Sequence, residues 1–272
     1  MTINYRRQSR ISHLMKVEKL DRIRYGYKVT VDGQVTPLEE ETVVVFRLKK
    51  DALIDEKTWA KILKEDQVYV QKRKAIVHLK KPQSVHEFKT FLRSIQVKES
   101  DIESWTNTYK KLGYLDDLEY GKLLVEGYQS KYGRLKIESI LKTKGLHPDT
   151  IEQVLPKQDA VLAKLVQKSC RSIQKPTYIQ AKNAVIRQFM GKGFDYETIL
   201  KYVEQYLSPN QFKEDENLIK EYKKLVLKYE STYSGYKLKQ KIIQALRQKG
   251  FNGQKIEQIC REMGNDYVQD FE

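Results

Sequence analysis

The feature that most constrains this chain is one spacing that occurs four times after residue 80. With Gln96, Gly145, Gly193 and Gly250 as position zero, apolar residues stand eight before (Phe88, Ile137, Val185, Ile242) and four before (Leu92, Leu141, Phe189, Leu246). Others stand one after (Val97, Leu146, Phe194, Phe251), six after (Ile102, Ile151, Ile199, Ile256) and nine after (Trp105, Val154, Tyr202, Ile259). Residues four apart share one face of a helix, and Gly ends a helix by adopting a left-handed conformation that costs other residues energy. The residue at +1 then folds back on the last turn, and a second helix directs +6 and +9 inward. Asp149, Asp195 and Asn252 lie before those second helices, at differing offsets, and are candidate caps. Gly145, Gly193 and Gly250 are the expected structural C-caps. Gln96 replaces Gly in the first copy and predicts a weaker or differently shaped cap there.

The anchors lie 49, 48 and 57 residues apart. That leaves room for a third helix between successive pairs, at Leu118–Gln129, Ala160–Arg171 and Glu216–Tyr229. A unit this small buries its apolar faces by stacking on its neighbours. The expected fold is therefore mainly α, with tandem three-helix repeats in a curved, elongated stack. The repeats are read over 76–118, 119–157, 158–208 and 209–272, behind a small mixed β/α module over 1–75. In that module Tyr25, Tyr27, Val29 and Val31 alternate with polar residues, which predicts a half-buried strand over Arg24–Val31. Asp32-Gly33 predicts a turn into Gln34–Pro37. Glu40–Leu48 and Asp55–Asp66 read as short helices. Val68–Val70 reads either as a strand or as the start of a long helix.

Charge narrows the class of partner. The chain holds 51 Lys+Arg against 36 Asp+Glu, a formal net charge of +15. The excess sits on folded-looking segments rather than in a basic tail; residues 157–208 alone carry 9 basic and 4 acidic residues. Such a face suits nucleic acid, an acidic protein or a membrane surface. No apolar run approaches a membrane span, and no apolar secretion segment follows the basic start MTINYRRQSR. The expectation is a soluble, cytoplasmic and monomeric protein.

Catalytic and metal chemistry finds little footing. Asp116 and Asp117 are adjacent, so their side chains diverge, and helix capping at Leu118 explains them. His13, His78, His86 and His147 are scattered without partners at ligand spacing. Gly191-Lys192-Gly193 lacks the spacing and the following Ser or Thr of a phosphate loop, and it falls at a helix end. Cys170 and Cys260 continue apolar stripes and read as small core residues. We expect no enzyme, no metal and no cofactor.

The candidate binding groups are basic and aromatic. Lys131, Arg134 and Lys136 stand beside Tyr132. Lys182, Arg187 and Lys192 mark the third repeat, and Tyr236, Lys237, Lys239, Lys241, Arg247 and Lys249 the fourth. Cations neutralise phosphates while Tyr stacks or donates a hydrogen bond. Any one exposed Lys more often only solvates a helix; the recurrence at corresponding places is what suggests a shared face.

Several stretches stand out together: Ser84-Val85-His86-Glu87-Phe88 with Leu92, Gly113-Tyr114-Leu115-Asp116-Asp117 with Tyr120, Tyr132-Gly133-Arg134 with Ile137 and Leu141, and the Lys-Gly pairs at 144–145, 192–193 and 249–250. In this order they resemble the bacterial RecX family, regulators of the RecA recombinase, in its longer form with an N-terminal extension. The resemblance runs from about Ile11 to the end. It departs from the family pattern at Tyr120-Gly121 and at Pro82-Gln83. The resemblance implies a noncatalytic protein that binds the RecA–DNA filament, touches single-stranded DNA and modulates, mainly by inhibition, recombinase activity in recombination, DNA repair and the SOS response. The alternative is a general single-stranded nucleic-acid-binding helical-repeat protein.

Overall fold

The computed structural model describes residues 14–157 and 161–263. His13 and Ala160, with the outer ends of the first and last expected segments, lie outside the described residues. The chain divides between Tyr120 and Gly121 into two compact units.

The first unit opens with an antiparallel four-stranded sheet, β1 (Leu14–Ile23), β2 (Gly26–Val31), β3 (Gln34–Glu39) and β4 (Leu53–Asp55), in the order β3-β2-β1-β4. Val29 and Val31 are buried with Val17, Leu38 and Ile54, so the alternation in the sequence does mark the core face. Asp32 and Gly33 carry the predicted turn, both at positive φ (45° and 78°). The strand is shorter than expected: Arg24 and Tyr25 form the β1–β2 turn. Gly26 begins β2 at φ 151°, and a Cβ there would stand 2.1 Å from the Leu38 carbonyl oxygen.

After α1 (Glu40–Val45), the expected short helix at Asp55–Asp66 is one helix of 23 residues, α2 (Glu56–His78). It settles Val68–Val70 as helix and runs through the expected boundary at residue 75. Its buried side includes Asp66 and Gln71, which is why apolar periodicity understates its length. Asp66 accepts from the Glu39 N–H and the Thr42 hydroxyl, both at 2.7 Å, and so caps α1 from outside. Helices α3 (Val85–Ser94) and α4 (Glu99–Lys111) follow. Ser84 and Glu87 form a reciprocal capping box at the start of α3.

Helix α5 (Asp117–Tyr128) carries the division between the units. Asp116 caps it, accepting from the N–H groups of Leu118 (2.9 Å) and Glu119 (3.0 Å), while Asp117 accepts from the Val85 N–H at 2.9 Å. Then come α6 (Arg134–Thr143), α7 (Pro148–Val154), α8 (Leu162–Ser172), α9 (Tyr178–Met190), α10 (Tyr196–Tyr206), α11 (Glu214–Tyr229), α12 (Gly235–Gln248) and α13 (Gly253–Glu262). Helices α8–α10 enclose one apolar cluster and α11–α13 another. The protein is mainly helical behind a small N-terminal β/α module.

All four anchors adopt the left-handed conformation, at φ 62° for Gln96 and 75°, 81° and 79° for Gly145, Gly193 and Gly250. Each donates its N–H to the carbonyl three residues back at 2.9 Å. The residue after it donates to the carbonyl five back, over 3.0–3.3 Å. This double-bonded cap satisfies carbonyls that the helix end leaves open. Gln96 therefore makes the same cap as the glycines, contrary to the expectation of a different shape. Gln71 supports it, donating from Nε2 to the carbonyls of Ile95 (3.0 Å) and Gln96 (2.8 Å).

Two further expectations are corrected. Positions −8, −4, +1 and +6 are buried in all four copies, but at +9 only Ile259 is. The inward position is +10, occupied by Thr106, Leu155, Val203 and Cys260. Asp195 and Asn252 cap α10 and α13, accepting from the N–H groups of Thr198 (2.9 Å) and Gln254 (2.9 Å). Asp149, by contrast, lies in the first turn of α7, and His147 holds the cap position.

Candidate functional site

Helices α9 and α12 are positioned by a capping contact. Thr177 is the N-cap of α9, and its buried hydroxyl donates to the Lys249 carbonyl, past the end of α12, at 2.6 Å while accepting from the Gln180 N–H at 3.2 Å. Glu214, at the start of α11, accepts from the Tyr178 N–H at 2.8 Å, and Asn217 donates to the Pro176 carbonyl at 3.0 Å. The negative end of α12 thus meets the positive end of α9.

A groove runs across this junction; Gln180, Asn183 and Arg187 of α9 and Gln248 supply polar groups to its wall, and Ile179 and Ile186 apolar ones. Gln248 also lines a second groove along one face of α12, with Tyr236, Lys239, Gln240, Gln244 and Arg247. The two share Gln248, and together they are the α9–α12 strip. Arg187, Lys239 and Arg247 supply positive charge along it, Tyr236 is exposed, and the amides offer donors and acceptors together. That combination matches a polyanion with hydrogen-bonding edges. A search for charge misses the amides; their i, i+4 spacing at Gln240, Gln244 and Gln248 is the signal that finds them.

Not every candidate belongs to the strip. Lys237 and Lys241 are exposed one residue off its row on α12, and the Lys241 ammonium lies 5.7 Å from the Tyr233 ring centre. Lys182 is paired with Glu204 at 2.9 Å, and that hydrogen bond raises its pKa. Lys192 lies over the Phe189 ring at 5.2 Å. Arg134 is engaged internally, donating to the Pro156 carbonyl at 3.0 Å and to Glu152 at 2.8 Å. Lys131, before α6, and Lys136, within it, are exposed and line neither groove. Arg247 makes a long contact with Glu257, 3.5 Å, at the rim.

Among the described residues no three His, Cys, Asp or Glu side chains gather as metal ligands. Cys170 and Cys260 are buried, and burial raises both thiols above their ordinary value. His78 stacks on Phe91 with ring centres 3.6 Å apart, and its burial lowers its pKa. No helix of the described residues is long and apolar enough to cross a membrane.

Residues 213–260, which span α11 to most of α13, match the family model described as RecX, third three-helix domain. The "Regulatory protein RecX" of Lactococcus lactis subsp. lactis is 29% identical over 263 residues, covering 91% of this chain and 97% of its own. That of Streptococcus equi subsp. equi is 28% identical over 250 residues, covering 89% and 97%. The chain is thus similar to RecX regulatory proteins over about nine-tenths of its length, 89% and 91% in these two. Similarity runs through both compact units, so the N-terminal module is shared with these relatives. A crystal structure of regulatory protein RecX aligns over 90% of this chain and 98% of its own, at 20% identity and a TM-score of 0.40.

Proposed function

We propose that this protein is a noncatalytic regulator that binds the RecA–DNA filament and restrains recombinase activity during recombination and DNA repair. The observation that carries the reading is the similarity to proteins named as RecX regulators over about nine-tenths of the chain, 89% and 91% in two of them. The α9–α12 strip supplies the means of attachment. Arg187, Lys239 and Arg247 meet phosphates, while Gln180, Asn183, Gln244 and Gln248 bond to polar edges of the strand or of the recombinase subunits. No proton transfer or bond cleavage is required of the protein; occupancy of the filament is the regulatory act.

The test compares binding to bare single-stranded DNA, to free recombinase and to the ATP-bound filament at one salt concentration. Filament binding much tighter than the other two supports a regulator. Equal affinity for bare strand and filament supports the general nucleic-acid binder instead.

A further inference from the structure

We propose that the tip of the β1–β2 hairpin is a second contact for single-stranded nucleic acid, with Tyr25 as its stacking platform. The tip belongs to the N-terminal module and does not depend on the α9–α12 strip. Tyr25 is 50% exposed and takes no part in the core of the module, whereas Tyr27, two residues on, packs against it.

The ring is held in place. Gly26 follows it at φ 151°, and a Cβ at that position would stand 2.1 Å from the Leu38 carbonyl oxygen. Backbone therefore closes on backbone there, and the turn that carries Tyr25 is fixed from below. The Arg73 guanidinium stands 4.8 Å from the ring centre and that of Arg24 5.0 Å. Arg73 is itself oriented, because its Nε donates to both oxygens of the buried Glu39 carboxylate at 2.9 Å. Arg24, Arg22 and Lys28 are exposed around the same turn.

An oriented ring with guanidinium groups over it at 4.8 and 5.0 Å builds a layered platform whose guanidinium planes unpaired bases stack on, with the same cations within reach of the phosphates. Paired bases inside a duplex do not present their faces, so the tip selects a single strand. An acidic protein surface would use the cations without needing the ring.

The experiment uses the full chain and an oligothymidine carrying 5-bromodeoxyuridine, without recombinase, so its outcome is independent of filament binding. Ultraviolet crosslinking should place an adduct on the peptide that contains Tyr25. Tyr25→Ala should weaken binding of the oligonucleotide about tenfold, the order expected for removing one base–aromatic stack. Tyr25→Trp should restore it, with the melting temperatures of all three proteins alike. A duplex of the same length should be bound equally by wild type and Tyr25→Ala. The proposal is overturned if no adduct forms at Tyr25 and Tyr25→Ala binds within twofold of wild type. Equal losses for duplex and single strand also overturn it, since charge alone would explain them.

Discussion

Gly133 and Gly193 meet backbone to backbone. The Gly133 N–H donates to the Lys192 carbonyl at 2.9 Å and the Leu135 N–H to the Gly193 carbonyl at 3.1 Å. A Cβ on Gly133 would stand 2.4 Å from the Gly193 carbonyl oxygen, and one on Gly193 would stand 2.3 Å from the Lys136 nitrogen. The negative end of α9 thus seats on the positive end of α6, as α12 seats on α9 through Lys249 and Thr177. Gly193 serves twice, as the left-handed cap of its own helix and as the contact with the preceding repeat. Gly193→Val should therefore cost more than the roughly 1–2 kcal/mol of left-handed strain alone. Gly133→Ala separates the two effects, because φ there is −81° and only the close approach is disturbed. Both variants should melt well below wild type, and a wild-type melting curve for Gly133→Ala would refute the backbone docking.

Gln96 holds φ 62° with a side chain that is exposed. Replacing it with Gly removes the left-handed penalty and leaves the carbonyls bonded by Gln71 in place. After the added flexibility of Gly in the unfolded chain is deducted, Gln96→Gly should stabilise by about 0.5–1 kcal/mol. Chemical denaturation reads this directly, and a loss of stability would contradict it.

Phe189 is 1% exposed and meets Phe194 edge to face, with ring centres 5.9 Å apart. Phe189→Ala should cost about 3–5 kcal/mol through the cavity it leaves. Lys182→Ala removes only a surface ion pair to Glu204 and should stay within about 1 kcal/mol. Equal drops in melting temperature would show that Phe189 is not a core residue.

Asp195 caps α10, and the Thr198 N–H and hydroxyl bonded to it lower its pKa below the ordinary 3.8. A carboxylate lowered by folding contributes stability above its unfolded pKa and loses it as pH falls through the folded one. Asn caps helices comparably and does not titrate in this range. Between pH of about 5 and 2 the wild type should lose more stability than Asp195→Asn. Parallel urea titrations that keep a constant gap between the two proteins would contradict this.

The repeats were legible because each is set by short-range geometry: apolar residues four apart and a residue after them that must turn left-handed. Their detail was less so. The inward position +10 holds Thr106 and Cys260 as well as Leu155 and Val203, so hydrophobicity alone does not mark it; Thr106 is satisfied by donating to the Ile102 carbonyl at 2.7 Å. Helix α2 hides because part of its buried side is polar, with Asp66 and Gln71 bonded to neighbouring backbone. The candidate site was half legible. A sequence shows that Arg134, Lys182 and Arg187 are cations; it does not show that the first holds Glu152, the second Glu204, and the third a groove. Those assignments depend on residues 18 and 22 positions away.

Attachment to a nucleoprotein filament through the α9–α12 strip is put to the test by a salt titration of filament binding with the Arg187→Glu, Lys239→Glu, Arg247→Glu variant, read beside a strand-exchange assay. The variant should be folded, bind weakly, and show a salt slope lower by about 0.7–0.9 for each phosphate that is no longer neutralised. Strand exchange should then proceed as if no regulator were present. Wild-type binding at every salt concentration together with undiminished restraint of exchange would contradict it.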